Sequence, residues 1–170
     1  MNLLNRYRHN LLRNRSSAVK RTVRLCTLDT IQKVGVLWCE EDGKAFTYLQ
    51  EIFREHKVIV RNLCFTNDKA NQDSSRFSSK DLNWLGFPQG GNIDTFISAD
   101  FDILLNISVV PNFAFEVITA LSAASLKIGW DRDKLGFLDI SVDVSKKPDA
   151  LYLAEQQIFY LKQLNKNTNL

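Results

Sequence analysis

The chain has 170 residues and a mass of 19.5 kDa, with 22 Lys+Arg against 19 Asp+Glu, 45% hydrophobic and 24% charged residues. That balance excludes a disordered, collagen-like or coiled-coil protein, and a chain this long can bury roughly 70% of the surface its unfolded form exposes. Cys26, Cys39 and Cys64 form an odd, widely spaced set. No run approaches about 18 apolar residues and no secretory apolar core opens the chain, so the expectation is a cytoplasmic protein with free thiols.

Charge is distributed unevenly. Residues 1–28 hold Arg6, Arg8, Arg13, Arg15, Lys20, Arg21 and Arg24 and no acid, so the remainder of the chain, which carries every Asp and Glu, is net acidic. On a helical wheel Leu3, Leu4, Tyr7 and Leu11 fall within about 100 degrees of one another, with Arg6 and Arg13 well off that stripe. The expectation is a basic amphipathic helical arm, 1–28, followed by a single α/β domain, 29–170. Arg6, Arg8, Arg13 and Arg15 are its candidate contact residues. The arm is expected to pack through its apolar stripe on its own domain, on a second copy or on another protein. Ribosomal RNA and an anionic membrane surface are the alternatives.

From Val34 the pattern becomes short β-branched runs alternating with segments of helical period, the signature of parallel α/β construction. Five strands are predicted, at 34–39, 57–65, 101–107, 126–130 and 137–144. The last alternates apolar and polar residues and belongs at an edge. Helices are predicted over 43–56, 112–125 and 149–166, with Asn112 as an N-cap and a frayed tail at 165–170. The helix at 112–125 carries one charge, Glu116, and must be covered on more than one side. The segment 67–100 is too long for a structureless loop. It reads as a mobile stretch at 70–78, a tethered lobe at 79–88 and a short helix at 92–99. Trp84 in the lobe reads first as an anchor to the body and second as a ligand platform. The fold expectation is thus a three-layer, open parallel sheet of about five strands, flavodoxin-like, with a long insertion after the second strand.

The chemistry-bearing motifs are few. Neither a P-loop nor a dinucleotide fingerprint is present, and the turn after the first strand, Glu40-Glu41-Asp42-Gly43, would repel phosphate. His9 and His56 lie far apart in sequence with no ligand spacing around them, so neither a metal nor a cofactor is expected. Asp131-Arg132-Asp133 has the Asp-x-Asp form that some sugar-nucleotide transferases use to hold a divalent cation. The strand Phe101 to Ile107 is similar to the receiver strand that ends in a phospho-accepting Asp. Asn106 stands at that position, and an amide cannot accept a phosphoryl group.

The runs Phe77 to Pro88 (FSSKDLNWLGFP), Phe101 to Ser108 (FDILLNIS) and Ala120 to Gly129 (ALSAASLKIG) resemble a bacterial family of small proteins of unknown function. The resemblance implies a basic N-terminal helix, a flavodoxin-like body and the loop Asn83-Trp84-Leu85-Gly86 as a unit. It also implies a strand usually ending in Asp where this chain has Asn106. It implies no activity, cofactor or substrate. In open parallel sheets ligands bind at the carboxyl ends of the strands. The candidate ligand residues are therefore Glu40, Glu41, Asn106, Ser108 and Asp131 on that rim, with Asn83 and Trp84 from a lobe expected to fold over part of it. The functional expectation is a non-catalytic binding or interaction module. A sugar- or nucleotide-binding transferase-like enzyme and a degenerate pseudo-receiver are the alternatives.

Overall fold

The computed structural model describes residues 2–67 and 73–167. Helix α1 (Leu3–Ser17) precedes β1 (Lys33–Cys39), a 3-10 turn (Glu40–Asp42), α2 (Gly43–Glu55) and β2 (Ile59–Phe65). The insertion then supplies β3 (Arg76–Phe77), a second 3-10 turn (Ser79–Asp81) and α3 (Gly91–Ile97). The chain continues through β4 (Ile103–Asn106), α4 (Phe113–Leu121), β5 (Leu126–Gly129), β6 (Ile140–Ser141) and α5 (Ala150–Asn167). All strand pairs are parallel, in the order β3-β2-β1-β4-β5-β6. Without the two-residue β3, the other five follow the flavodoxin-like order 2-1-3-4-5.

The sheet therefore has six strands rather than five. The extra one lies at 76–77, inside the stretch expected to be mobile, where Phe77 pairs with Phe65 in register and is buried. The remainder of that stretch, in part, and the end of the tail lie outside the described residues. At the opposite edge the run 137–144 yields only the two residues of β6. Just before them, the Asp139 carboxylate accepts from the Lys127 amide at 2.8 Å and forms a two-pronged pair with Arg21, so side-chain bonds replace part of the ladder.

The central strands are apolar on both faces because both faces are covered. Val34 and Val36 of β1 and Ile103 and Leu105 of β4 face α2 and α5, joining Leu49, Phe53, Leu153 and Ile158 in one core. Leu37, Leu63 and Leu104 point the other way, to Ile93 and Phe96 of α3 and Ala114, Phe115 and Ile118 of α4. Gly35 is required for close approach: a Cβ there would come within 2.6 Å of the Phe101 ring, which lies across β1.

Helix α4 is covered on two sides, as its single charge demanded. Its outer flank, Val117 and Ala120, packs with Leu12 of α1 and Phe87 of the insertion, so α1 forms an additional layer outside α4. Asn112 caps α4 by accepting from the Ala114 amide at 3.0 Å. The chain leaving α1 then runs along the sheet. Arg24 pairs with Asp102, whose other oxygen accepts from the Gln32 and Lys33 amides, while Cys26, Leu28 and Ile31 enter the core beside α2 and α5.

Lys127 of β5 is buried on the α4 side, and its ammonium donates to the Ala120 carbonyl at 3.1 Å, near the negative end of the α4 dipole. Burial dominates nonetheless, with Arg21 adding repulsion, and lowers its pKa from 10.5 to about 8. The folded state therefore binds the proton more weakly than the unfolded chain, and stability should rise between those two values. Lys127→Met removes the titration. Denaturant unfolding at pH 7 and pH 10.5 should show wild type gaining about 3 kcal/mol on the variant across that interval. A difference that stays constant with pH would mean that the ammonium is not desolvated.

Candidate binding site at the carboxyl rim

The strand order reverses between β1 and β4, where open sheets commonly hold ligands. Here that point is closed. Cys39 at the end of β1 meets Ser108, just beyond β4, at 3.6 Å. The acids that follow β1 are used as a latch. Glu40 accepts from the Thr66 hydroxyl at 2.6 Å and pairs with Arg76, and Glu41 accepts from Asn67 at 3.3 Å. The Thr66 bond, followed by Arg76, holds the Glu40 carboxyl below its usual range. Both acids thus tie the end of β1 to the end of β2, and Glu40 reaches β3 through Arg76.

The open cleft lies one strand further along, between the ends of β4 and β5. It encloses about 70 Å³ between the first turns of α4 and the loop 130–138. Asn106, Ser108 and Asp131 from the candidate set meet there. Asn106 Oδ1 accepts from the Ser108 amide at 3.1 Å, and the Ser108 hydroxyl donates to the Val110 carbonyl at 3.2 Å. Asp131 shapes the loop, its two carboxylate oxygens accepting from the Leu135 and Gly136 amides at 2.8 and 2.9 Å. Those bonds leave Asp131 of the Asp-x-Asp pair serving the loop. Among the described residues, no group of three or more His, Cys, Asp or Glu side chains is placed to hold a metal ion.

Glu40 and Glu41 stay on the β2 side, and the lobe lies against α4 and α1 rather than among the cleft residues. Leu85 and Phe87 carry it there, because the outer flank of α4 offers the apolar contact they need. Asn83 is spent inside the lobe, accepting from the Leu85 and Phe87 amides at 2.9 and 3.0 Å. Trp84 does not anchor anything: it is 81% exposed.

Residues outside the sequence-derived set complete the cleft. Glu116 and Thr119 of α4 line it with Phe115 on one side, and Trp130 and Arg132 line the other. Glu116 meets His9 of α1 across 107 positions of sequence, at 3.0 Å. His9 Nδ1 faces the Asn5 carbonyl at 2.7 Å and must donate to it, which leaves Nε2 to share a proton with the carboxylate. Burial pushes the Glu116 carboxyl above its usual range, while His9 and Arg8 pull it back. Of the His9–Glu116 pair, the sequence singled out only Glu116, a lone charge in an apolar helix.

Burial raises Cys39 to about 11 and Cys64 to about 12, so both stay protonated near neutral pH.

The candidate arginines separate into two groups. Arg8 lies over the Phe113 ring at 4.0 Å and Arg15 over Phe87 at 4.8 Å, so these two hold α1 to the body. Arg6 and Arg13 have no ion pair among the described residues. Of the predicted stripe, Leu11 packs beside Leu12, the buried residue of α1, against Phe87, Val117 and Ala120, while Leu3, Leu4 and Tyr7 are 87%, 46% and 57% exposed. The His9 bond and the stacked arginines fasten the side of the helix that carries Leu12 and leave Leu3, Leu4 and Tyr7 in water.

The chain belongs to the family of unknown function DUF6913, which it matches over residues 1–164. No curated protein and no solved structure matches it. Among the described residues, no helix is long and apolar enough to cross a membrane.

The His9 to Glu116 contact is measurable by a double-mutant cycle. His9→Ala, Glu116→Gln and the double variant, unfolded in urea at pH 7, should give a coupling of about 1–2 kcal/mol, as expected for a half-buried charged hydrogen bond. Strict additivity would mean that the pair contributes nothing to holding α1.

Proposed function

We propose that this protein is a non-catalytic interaction module whose contact surface is the outward face of α1. The partner is a protein with an apolar groove edged by acids. The observation that carries this reading is the outward exposure of Leu3, Leu4 and Tyr7 on a helix already fastened by its opposite side. A large apolar side chain is worth about 1.5–3 kcal/mol when taken fully out of water, so a groove that covers all three gains substantially. The spacing i, i+1 and i+4 is that of a helix laid into a groove. Helix and scaffold are already packed together, so little ordering entropy opposes binding.

Charge decides among partners. Arg6, Arg13 and Lys20, without ion pairs among the described residues, favour an acidic rim. A symmetric second copy would bring the same basic edges together. RNA would satisfy the cations but leave the leucines in water. The transferase reading draws no support from Asp131, whose two oxygens both bond the loop.

Deleting residues 1–28 is not a clean test, because it strips Leu12, Cys26 and Leu28 from two cores. The triple variant Leu3→Ser, Leu4→Ser, Tyr7→Ser changes exposed positions only, and each substitution should alter stability by no more than about 0.5 kcal/mol. Tagged wild type should retain from native lysate a protein that resists nuclease and is released by rising salt, and the triple variant should lose it. Retention of every association by the variant would refute the reading, and release by nuclease would replace it with the RNA alternative.

A further inference from the structure

We propose that the outer edge of β2 binds an acidic, extended segment of a partner protein, which adds to the sheet as a further strand beside Val60 and Asn62 and lies along the flank of α2. This surface is separate from α1, which packs outside α4 on the opposite face of the sheet, and does not rest on the reading above.

The first observation is an edge left open. β3 pairs only with Cys64 and Phe65, so Ile59 to Leu63 have no strand beside them on that side among the described residues. Successive backbone groups of a strand alternate between its two edges. The Ile59 amide donates to Gln32, on the β1 side, at 2.8 Å, and the Cys64 amide donates to Ser75, on the β3 side, at 2.8 Å. The amides and carbonyls of Val60 and Asn62 therefore point away from β1, and none makes a hydrogen bond among the described residues. Ser74, on the approach to β3, is held on the face away from α2, where Asn92 of α3 donates to its carbonyl at 3.3 Å.

The second observation is a groove beside that edge. Thr47, Gln50 and Arg54 share one exposed flank of α2 and, with Lys57 and Val60, line an open space of about 640 Å³. A strand paired with Val60 and Asn62 places alternate side chains in that space and the others over Ile59, which is 59% exposed on the reverse face. In such additions the backbone bonds supply affinity and the flanking groove supplies selection.

Charge selects the occupant. Arg54, Lys57 and Arg61 stand at the groove and the edge without an ion pair among the described residues, against Glu51 as the one acid lining the groove. Charges on an open edge commonly guard it against pairing with another sheet. Their like sign here disfavours a second copy. Two-fold pairing of β2 edges would exchange bonds between Val60 and Asn62 of the copies and set Arg61 directly opposite Arg61. A segment with Asp or Glu opposite Arg61 turns the same position into an attraction. A helix or a nucleic acid offers no row of amides and carbonyls at strand spacing, so it would leave the edge unpaired.

The test uses the full chain and two end-blocked heptapeptides, of sequence TEVEVET and TKVKVKT, with amide hydrogen exchange followed by two-dimensional NMR at pH 7. In the free protein the Val60 and Asn62 amides should exchange rapidly, while those of Arg61 and Leu63, facing β1, are protected. The acidic peptide at saturation should slow exchange at Val60 and Asn62 by about tenfold or more, and the lysine peptide should leave both unchanged. Arg61→Glu changes an exposed side chain, so it should fold as wild type does, bind the acidic peptide about fivefold more weakly and gain affinity for the lysine peptide. The proposal is overturned if Val60 and Asn62 are already protected in the free chain, if the acidic peptide binds without slowing these two amides, or if neither the sign of the peptide nor Arg61→Glu changes binding. Protection that rises with protein concentration would replace it with pairing between two copies.

Discussion

Helix α4 imposes the constraint from which most of this structure follows. Apart from Glu116 and Thr119 it is apolar around its circumference, and a helix of that kind is stable only when covered on opposite sides. The sheet covers one side through Phe115 and Ile118. The other side needs a second cover, which Leu12 of α1 and Phe87 of the insertion provide. The N-terminal helix is thereby built into the body. The Asn83 to Gly86 loop has a structural purpose too, since it turns the chain so that Phe87 reaches α4.

The same arrangement explains what happens to the basic character of residues 1–28. Arg21 and Arg24 are neutralised by Asp139 and Asp102 along the sheet, and Arg8 and Arg15 stack on phenylalanine rings. Half-buried charge of this kind serves attachment, because each cation is positioned by a group it must leave if α1 detaches. Arg6, Arg13 and Lys20 have no ion pair among the described residues. The acids after β1 behave likewise: Glu40 and Glu41 tie the end of β1 to the end of β2, while Cys39 meets Ser108 across the switch point and the accessible cleft lies at the β4–β5 junction.

Much of this was legible from local pattern. Period-2 and period-3.6 hydrophobicity located the parallel sheet, the edge position of the last strand, the Asn112 cap and the need for double coverage of α4. The cleft was half legible: Asn106, Ser108 and Asp131 follow from the rule that strand ends form the rim. Thr119 and Trp130 do not, because a threonine in an apolar helix and a tryptophan after a strand look like ordinary core residues. The orientation of α1 was not legible for a related reason. The wheel identifies the most apolar stripe, but the face that packs on the body is decided by His9, Arg8 and Arg15 finding Glu116, Phe113 and Phe87, and those are contacts between distant parts of the chain.

The amino-acid order alone determined the elements, their parallel α/β class and the asymmetry of charge, because each depends on neighbours within a turn or a strand. Tertiary structure decided which charges are spent, which apolar stripe stays in water and where the rim opens. Those outcomes depend on pairs such as His9 with Glu116 and Arg21 with Asp139, more than a hundred positions apart. Such pairs are set by how layers stack, and no periodicity along the chain encodes them.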